Sequence, residues 1–173
     1  GKEVIARFLH HHSPRSRGPF IAVNCTAIPD TLFESVMFGI EKGVATGVSS
    51  RKGLVEEASG GVLFLDELAE MSLPNQAKLL RVLEQGEVLR VGSSRPIPVD
   101  LHLISATNVR LEEAVKEGKF REDLFYRVNV VEVRLPPLCE RGDDILLLAQ
   151  TFLERYCVEM GRGRLSLSPA VQG

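Results

Sequence analysis

Apolar positions along the chain fall into two alternating patterns. Short apolar segments occur at Phe20–Val23, Gly61–Leu65, Val99–Ser105 and Val128–Leu135, the first two of them unbroken. Runs of this length suit strands buried on both faces of a parallel sheet. Between them lie segments with apolar residues at helical spacing. Val4–Leu9 carries Val4, Ile5, Phe8 and Leu9 on one face, and a helix opening at Pro29-Asp30 runs to Phe38. Leu54–Ala58 and Leu111–Glu117 read as short helices. Pro74–Gln85 reads as a strongly amphipathic one through Leu79, Leu80, Val82 and Leu83. Val88–Arg90 predicts a short strand and Gly92–Pro96 a turn. Asp143–Met160 predicts a long helix with Ile145, Leu146, Leu148, Ala149, Phe152, Leu153 and Tyr156 in its apolar stripe. Strands alternating with helices predict a three-layer α/β fold around a parallel sheet. Past Pro136-Pro137 the pattern turns helical. The expected organisation is an α/β core over 1–137 and the start of a helical domain over 138–173.

Three runs end in polar residues at the carboxyl end of the strand: Asn24, then Asp66-Glu67, then Ser105 followed by Thr107-Asn108. Open α/β sheets bind ligands at that edge. The pair Asp66-Glu67 taken alone reads equally as a metal-and-water site or as a solvated helix start. Asn24 taken alone reads equally as a residue bonding its own loop backbone. Polar groups repeated at three strand ends favour the ligand edge. Arg121 and Arg127 flank a short helix beside Glu122 and Asp123, and read either as surface ion pairs or as site residues.

Other features exclude more than they assert. The chain has 173 residues, 44% hydrophobic and 25% charged, within the range of soluble globular proteins. A net charge of −2 gives no basic footprint for a nucleic-acid module. No apolar run approaches membrane-spanning length. Cys25, Cys139 and Cys157 are odd in number and unpaired in spacing, as free thiols in a reducing cytosol would be. His10-His11-His12 reads as a solvated helix end, since consecutive helical side chains diverge. Gly39–Gly53 breaks all periodicity over about 15 residues, a length at which a loop is usually functional. The chain opens at Gly1-Lys2-Glu3 without a lead-in strand and stops just after Ser168-Pro169, so it is expected to be the interior of a longer protein.

Taken together, the motifs resemble the central ATPase domain of the sigma-54-dependent transcriptional activators, the bacterial enhancer-binding proteins of the AAA+ P-loop NTPase class. The resemblance covers essentially the whole chain. Gly1-Lys2-Glu3 resembles the tail of a Walker A loop. Gly61–Glu67 resembles Walker B, and Ala106-Thr107-Asn108 resembles sensor I. Val23-Asn24-Cys25, Phe38-Gly39, Gln76–Leu83, Phe120–Leu124 and Leu135–Leu138 also match in order and spacing. One such motif is weak; their succession is specific.

The resemblance implies a set of roles. Gly1, Lys2 and Glu3 would hold ATP, with Lys2 on the β- and γ-phosphates. Asp66 would hold Mg²⁺ through water, and Glu67 would polarise the attacking water. Asn24 would switch Glu67 with nucleotide state, while Thr107 and Asn108 would report on the γ-phosphate. Arg121 and Arg127 would act as arginine fingers on a neighbouring subunit's ATP, which implies a homo-oligomeric ring, usually a hexamer. Gly43-Val44-Ala45-Thr46-Gly47-Val48 would contact the sigma-54 RNA polymerase holoenzyme. There the family signature has phenylalanine and this chain has Ala45, a departure that bears on sigma-54 engagement and leaves the hydrolytic residues untouched. Cys139 stands where the family more often has arginine. DNA contact would belong to a domain outside this chain, the location would be cytoplasmic, and the isolated segment would hydrolyse ATP weakly. Two other readings follow from the same residues: an ATPase acting on another protein through the altered loop, or a non-hydrolysing nucleotide-binding module.

Overall fold

The computed structural model describes residues 1–43, 49–163 and 165–168. It divides into two units, Gly1–Glu132 and Val133–Gly173.

In the first unit the order is α1 (Lys2–His11), β1 (Phe20–Asn24), α2 (Asp30–Phe38), α3 (Leu54–Glu57), β2 (Val62–Asp66), α4 (Leu73–Gln85), β3 (Glu87–Val88), β4 (Ile97–Pro98), β5 (His102–Ser105), α5 (Leu111–Lys116) and α6 (Glu122–Val128). β1, β2 and β5 form a parallel sheet with β2 in the middle. Val62, Leu63, Phe64 and Leu65 are all buried. Each such side chain contributes roughly 1.5–3 kcal/mol of transfer free energy. The helices close over this strand: Phe33, Met37 and Phe38 from α2, Val55 from α3, Leu79, Leu80 and Val82 from α4, and Leu124 from α6 share one core.

Two glycines bring the chain into the middle of the sheet. Gly60 adopts φ +82°, a left-handed conformation that suits a residue without Cβ. A Cβ on Gly61 would lie 2.0 Å from the Pro19 carbonyl oxygen. That oxygen accepts from the Val62 N–H at 2.8 Å, the first rung between β1 and β2. The Asp100 carbonyl receives Gly60 N–H at 2.7 Å from the other side. Gly61→Ala is therefore expected to destabilise the fold by about 1–3 kcal/mol, as overpacking a filled site does. Urea titration checks this; an unchanged midpoint would mean the backbone yields freely there.

The structure departs from the sequence pattern in two strands. The expected strand over 99–105 is divided. Ile97–Pro98 pairs antiparallel with Glu87–Val88 as a hairpin, and the parallel strand starts only at His102. Between them Asp100 is drawn outward, its carboxylate and carbonyl both held by Arg15. The expected strand over 128–135 does not form. Val128 ends α6, and Val130 and Val131 are 80% and 81% exposed. Apolar, β-branched sequence is insufficient where no neighbouring strand among the described residues takes its backbone groups.

The stem of the Gly39–Gly53 loop is firmly built. Gly39 (φ +85°) and Gly53 cross so closely that a Cβ on Gly53 would lie 2.3 Å from Gly39 N. Ile40 and Arg51 exchange both backbone hydrogen bonds, and Glu41 N–H donates to Val91 O. Arg90 binds Glu56 bidentately at 2.8 Å and also reaches Glu41 and Ser50. Residues 44–48, with the expected contact residues Val44, Ala45, Thr46, Gly47 and Val48, lie outside the described residues. Gly43, at the stem, has φ +93° and open space around it.

In the second unit a 3₁₀ turn at Leu138–Glu140 precedes α7 (Asp144–Glu159). Arg141 Nε donates to Pro136 O at 2.9 Å and closes that turn. The long helix expected over 143–160 is present. Cys157 on it is buried, whereas Ile145, Phe152 and Tyr156 of its apolar stripe are exposed.

Candidate functional site

The parallel register sets the strand ends side by side. Asn24 is the partner of Asp66, and Leu65 that of Ser105. Asp66 closes β2, and Glu67 turns the chain sharply with φ 55° and ψ 46°. Among the described residues it is the one non-glycine with positive φ. A left-handed conformation costs such a residue on the order of 1–3 kcal/mol and concentrates at functional sites. Two bonds hold it: Glu67 N–H to Asp66 Oδ1 at 3.1 Å, and the next residue's N–H, from Leu68, to Ala106 O at 3.0 Å.

Lys2, at the start of α1, reaches this turn. Its Nζ lies 3.0 Å from Glu67 Oε1 and 3.4 Å from Asp66 Oδ1. It also donates to Asn108 Oδ1 at 2.8 Å. Asn108 donates its side-chain amide to Glu67 Oε1 and its backbone N–H to Glu67 Oε2 at 3.3 Å. One ammonium thus serves two carboxylates and an amide, in a cluster drawn from a helix start, a strand end and the turn after β5. The side chains of Lys2, Asp66 and Glu67 keep 27%, 28% and 21% exposure, so the cluster opens to solvent and a ligand can reach it. Gly1 has no side chain with which to cap the first turn of α1, and a helix start attracts anions. Glu3 faces elsewhere, paired with Arg7, and Gly1 is exposed ahead of the helix.

The carboxylate field extends beneath the sheet edge. Cys25, directly after β1, is pushed up to about 12, first by burial and then by the charges of Asp66 and Glu67. Its neutral thiol therefore adds stability below pH 9, and that contribution falls away as pH rises from 9 towards 12.

The other expected residues stand apart from the cluster. Asn24 Oδ1 accepts from Thr26 N–H at 2.9 Å and Thr26 Oγ1 at 2.7 Å, capping the 3₁₀ turn Cys25–Ala27. Thr107 Oγ1 exchanges bonds with the Val109 backbone and supports the turn that carries Asn108. Arg121 caps the start of α6 and grips Asp123 with both Nε (3.0 Å) and Nη2 (2.6 Å). That grip holds the Asp123 carboxyl below its ordinary value and the guanidinium above its own. Arg127, in the last turn of α6, donates to Leu83 O at 2.6 Å. Both arginines are exposed enough to be offered outward, and no described bond joins either to the Lys2 cluster.

One member was missed by sequence reasoning. Gln76 on α4 is fully buried and ties Met71 and Lys119 carbonyls to the Arg121 N–H. It stands three, four and seven positions before Leu79, Leu80 and Leu83, on the apolar face. A lone amide on that stripe was the available signal.

Residues 1–134 match the model of the sigma-54 interaction domain. The chain belongs to the sigma-54 interaction domain family. A Nif-specific regulatory protein of Herbaspirillum seropedicae is 56% identical over 98% of this chain and 31% of its own length. The DNA-binding transcriptional regulator NtrC of Escherichia coli K12 is 51% identical over 99% of this chain and 37% of its own. This sigma-54 interaction domain thus spans less than half the length of those relatives. Among solved structures it is similar to NtrX of Brucella abortus in complex with ATP. The TM-score is 0.87 with 40% identity, covering 98% of this chain and 36% of that one. The fold is that of an AAA+ P-loop NTPase, and the domain is of the kind carried by bacterial sigma-54-dependent activators. None of the described helices is long and apolar enough to cross a membrane.

Proposed function

We propose that this sigma-54 interaction domain binds and hydrolyses ATP and uses the turnover to remodel the sigma-54 RNA polymerase closed complex. The observation that carries the reading is the cluster of Lys2, Asp66, Glu67 and Asn108 within hydrogen-bonding reach at the carboxyl end of the central strand. Lys2 binds the β- and γ-phosphates, helped by the N–H groups at the start of α1. Asp66 uses only Oδ1 in its bonds among the described residues and is open to solvent, which fits Mg²⁺, an ion that keeps several waters and takes one or two carboxylates beside substrate phosphates. Mg²⁺, when bound, would neutralise phosphate charge.

Glu67 acts as general base. Its carboxylate takes a proton from water as the water oxygen bonds to the γ-phosphorus and the bond to the β-bridging oxygen breaks. Here Glu67 Oε1 accepts from both Lys2 and Asn108, so that oxygen is occupied. Phosphates that draw Lys2 away release that oxygen to a water, so substrate itself frees the carboxylate. Asn24, in register with Asp66, can exchange its Thr26 bonds for Glu67, and Thr107-Asn108 reports the γ-phosphate. Arg121 and Arg127 serve a neighbouring subunit's ATP, so the working form is a ring, a hexamer by resemblance, in the cytoplasm. The helical unit is the start of a lid, and DNA is held by another part of the protein.

The loop Gly43–Val48 is the contact to sigma-54. With an ATP transition-state analogue, full-length protein is expected to retain sigma-54 on a column, and Ala45→Phe to retain it more strongly by restoring an aromatic contact. Failure of both proteins to retain sigma-54 would remove that partner.

A further inference from the structure

The buried amide of Gln76 joins two parts of the site, the turn after Glu67 and the start of α6. Its Nε2 donates to Met71 O at 2.7 Å and Lys119 O at 3.0 Å, and its Oε1 accepts from Arg121 N–H at 2.8 Å. Both donors and the acceptor are used inside a dry site, where leaving any of them unpaired would be costly. Met71 closes the 3₁₀ turn that begins at Glu67: Glu70 N–H bonds Glu67 O, and Met71 N–H bonds Leu68 O. Lys119 and Phe120 are braced in turn by the Ala114 carbonyl, and Phe120 and Leu124 anchor the start of α6 in the core. The Arg121 backbone is therefore fixed by Gln76, while its guanidinium remains outside on Asp123. A leucine would fill the same space but leave the Met71 and Lys119 carbonyls and the Arg121 N–H without this partner, so the amide sets position as well as filling volume.

We propose that Gln76 is a positioning residue that couples the turn after Glu67 to Arg121. A subunit's own hydrolytic carboxylate and the arginine it presents to its neighbour then move together. The inference rests on the proposed hydrolysis with Arg121 acting in trans, and adds a link within one subunit between the two sites it serves.

Mixed assemblies of the full-length protein test it. Wild-type subunits are doped with Glu67→Gln subunits, which cannot hydrolyse but still offer Arg121. A second dopant carries Glu67→Gln with Gln76→Met, close in volume to the wild type. A third carries Glu67→Gln with Gln76→Glu, which keeps an acceptor for the Arg121 N–H. The Gln76→Met dopant is expected to lower the kcat of the wild-type neighbours by about 10- to 100-fold relative to the first, as small misplacements of a catalytic group do. The Gln76→Glu dopant keeps the acceptor for Arg121 but loses the donor to Met71 O, so it should show a similar loss. Neighbour turnover equal to the first dopant's would mean that the acceptor alone positions Arg121 and would overturn the coupling. Melting temperature, assembly and nucleotide affinity of each dopant are measured alongside. Neighbour turnover equal under the first two dopants, with assembly intact, would overturn the coupling. If Gln76→Met does not fold, the Gln76→Glu dopant decides alone: neighbour turnover about 10- to 100-fold below the first dopant's supports the coupling, and turnover equal to the first dopant's overturns it. A control dopant with Glu67→Gln and Arg121→Ala separates the premises; no effect from it would remove the trans arginine, and the coupling with it.

Discussion

Glu67→Gln is expected to keep ATP affinity within a few-fold while lowering turnover by about 10²–10⁴, the usual contribution of a positioned general base. The amide is isosteric and can still accept from Lys2 through its oxygen, so the cluster and the left-handed turn should survive. What it lacks is a lone pair basic enough to take the water proton. Steady-state phosphate release, with nucleotide affinity measured separately, distinguishes the two effects. Unchanged turnover would remove Glu67 from the chemistry and reduce its strained backbone to a structural turn.

Arg121→Ala is expected to cost about 10³–10⁵ in kcat, the range of an arginine supplied to a phosphoryl transition state. Because the residue serves the adjoining subunit, the loss has a signature. Arg121→Ala subunits keep their own Glu67, and Glu67→Gln subunits keep their own Arg121, so mixing two inactive proteins should restore turnover at the mixed interfaces. Arg121→Lys should rescue little, since a point charge cannot replace the planar fork that now grips Asp123 through two nitrogens. Absence of restoration at every ratio, with assembly verified, would place Arg121 in a purely local role with Asp123.

Much of this site was legible before any coordinates. A buried strand needs an unbroken apolar run, and β2 has one, so Asp66 and Glu67 could be placed at its carboxyl end from sequence alone. Asn24 and Asn108 followed by the same logic. The partnership of Lys2 was available only through resemblance, because Lys2 lies 65 residues from Glu67 and 106 from Asn108. No local pattern encodes contacts over that separation. The strand expected after Val128 shows the reverse error: Val130, Val131 and Val133 have strand propensity, but a strand exists only where another supplies its hydrogen bonds. The left-handed turn at Glu67 was hidden because nothing in a glutamate announces positive φ. Gln76 was visible as a letter on the α4 stripe, yet its meaning depends on three backbone groups brought together by tertiary structure.

The most direct test of the account is a structure of the full-length protein with a non-hydrolysable ATP analogue bound. The prediction is that the 3.0 Å contact between Lys2 Nζ and Glu67 Oε1 opens. Lys2 should then lie on the β- and γ-phosphates, with Glu67 facing a water in line with the γ-phosphorus. Nucleotide bound elsewhere, with the Lys2–Glu67 pair still closed, would contradict it.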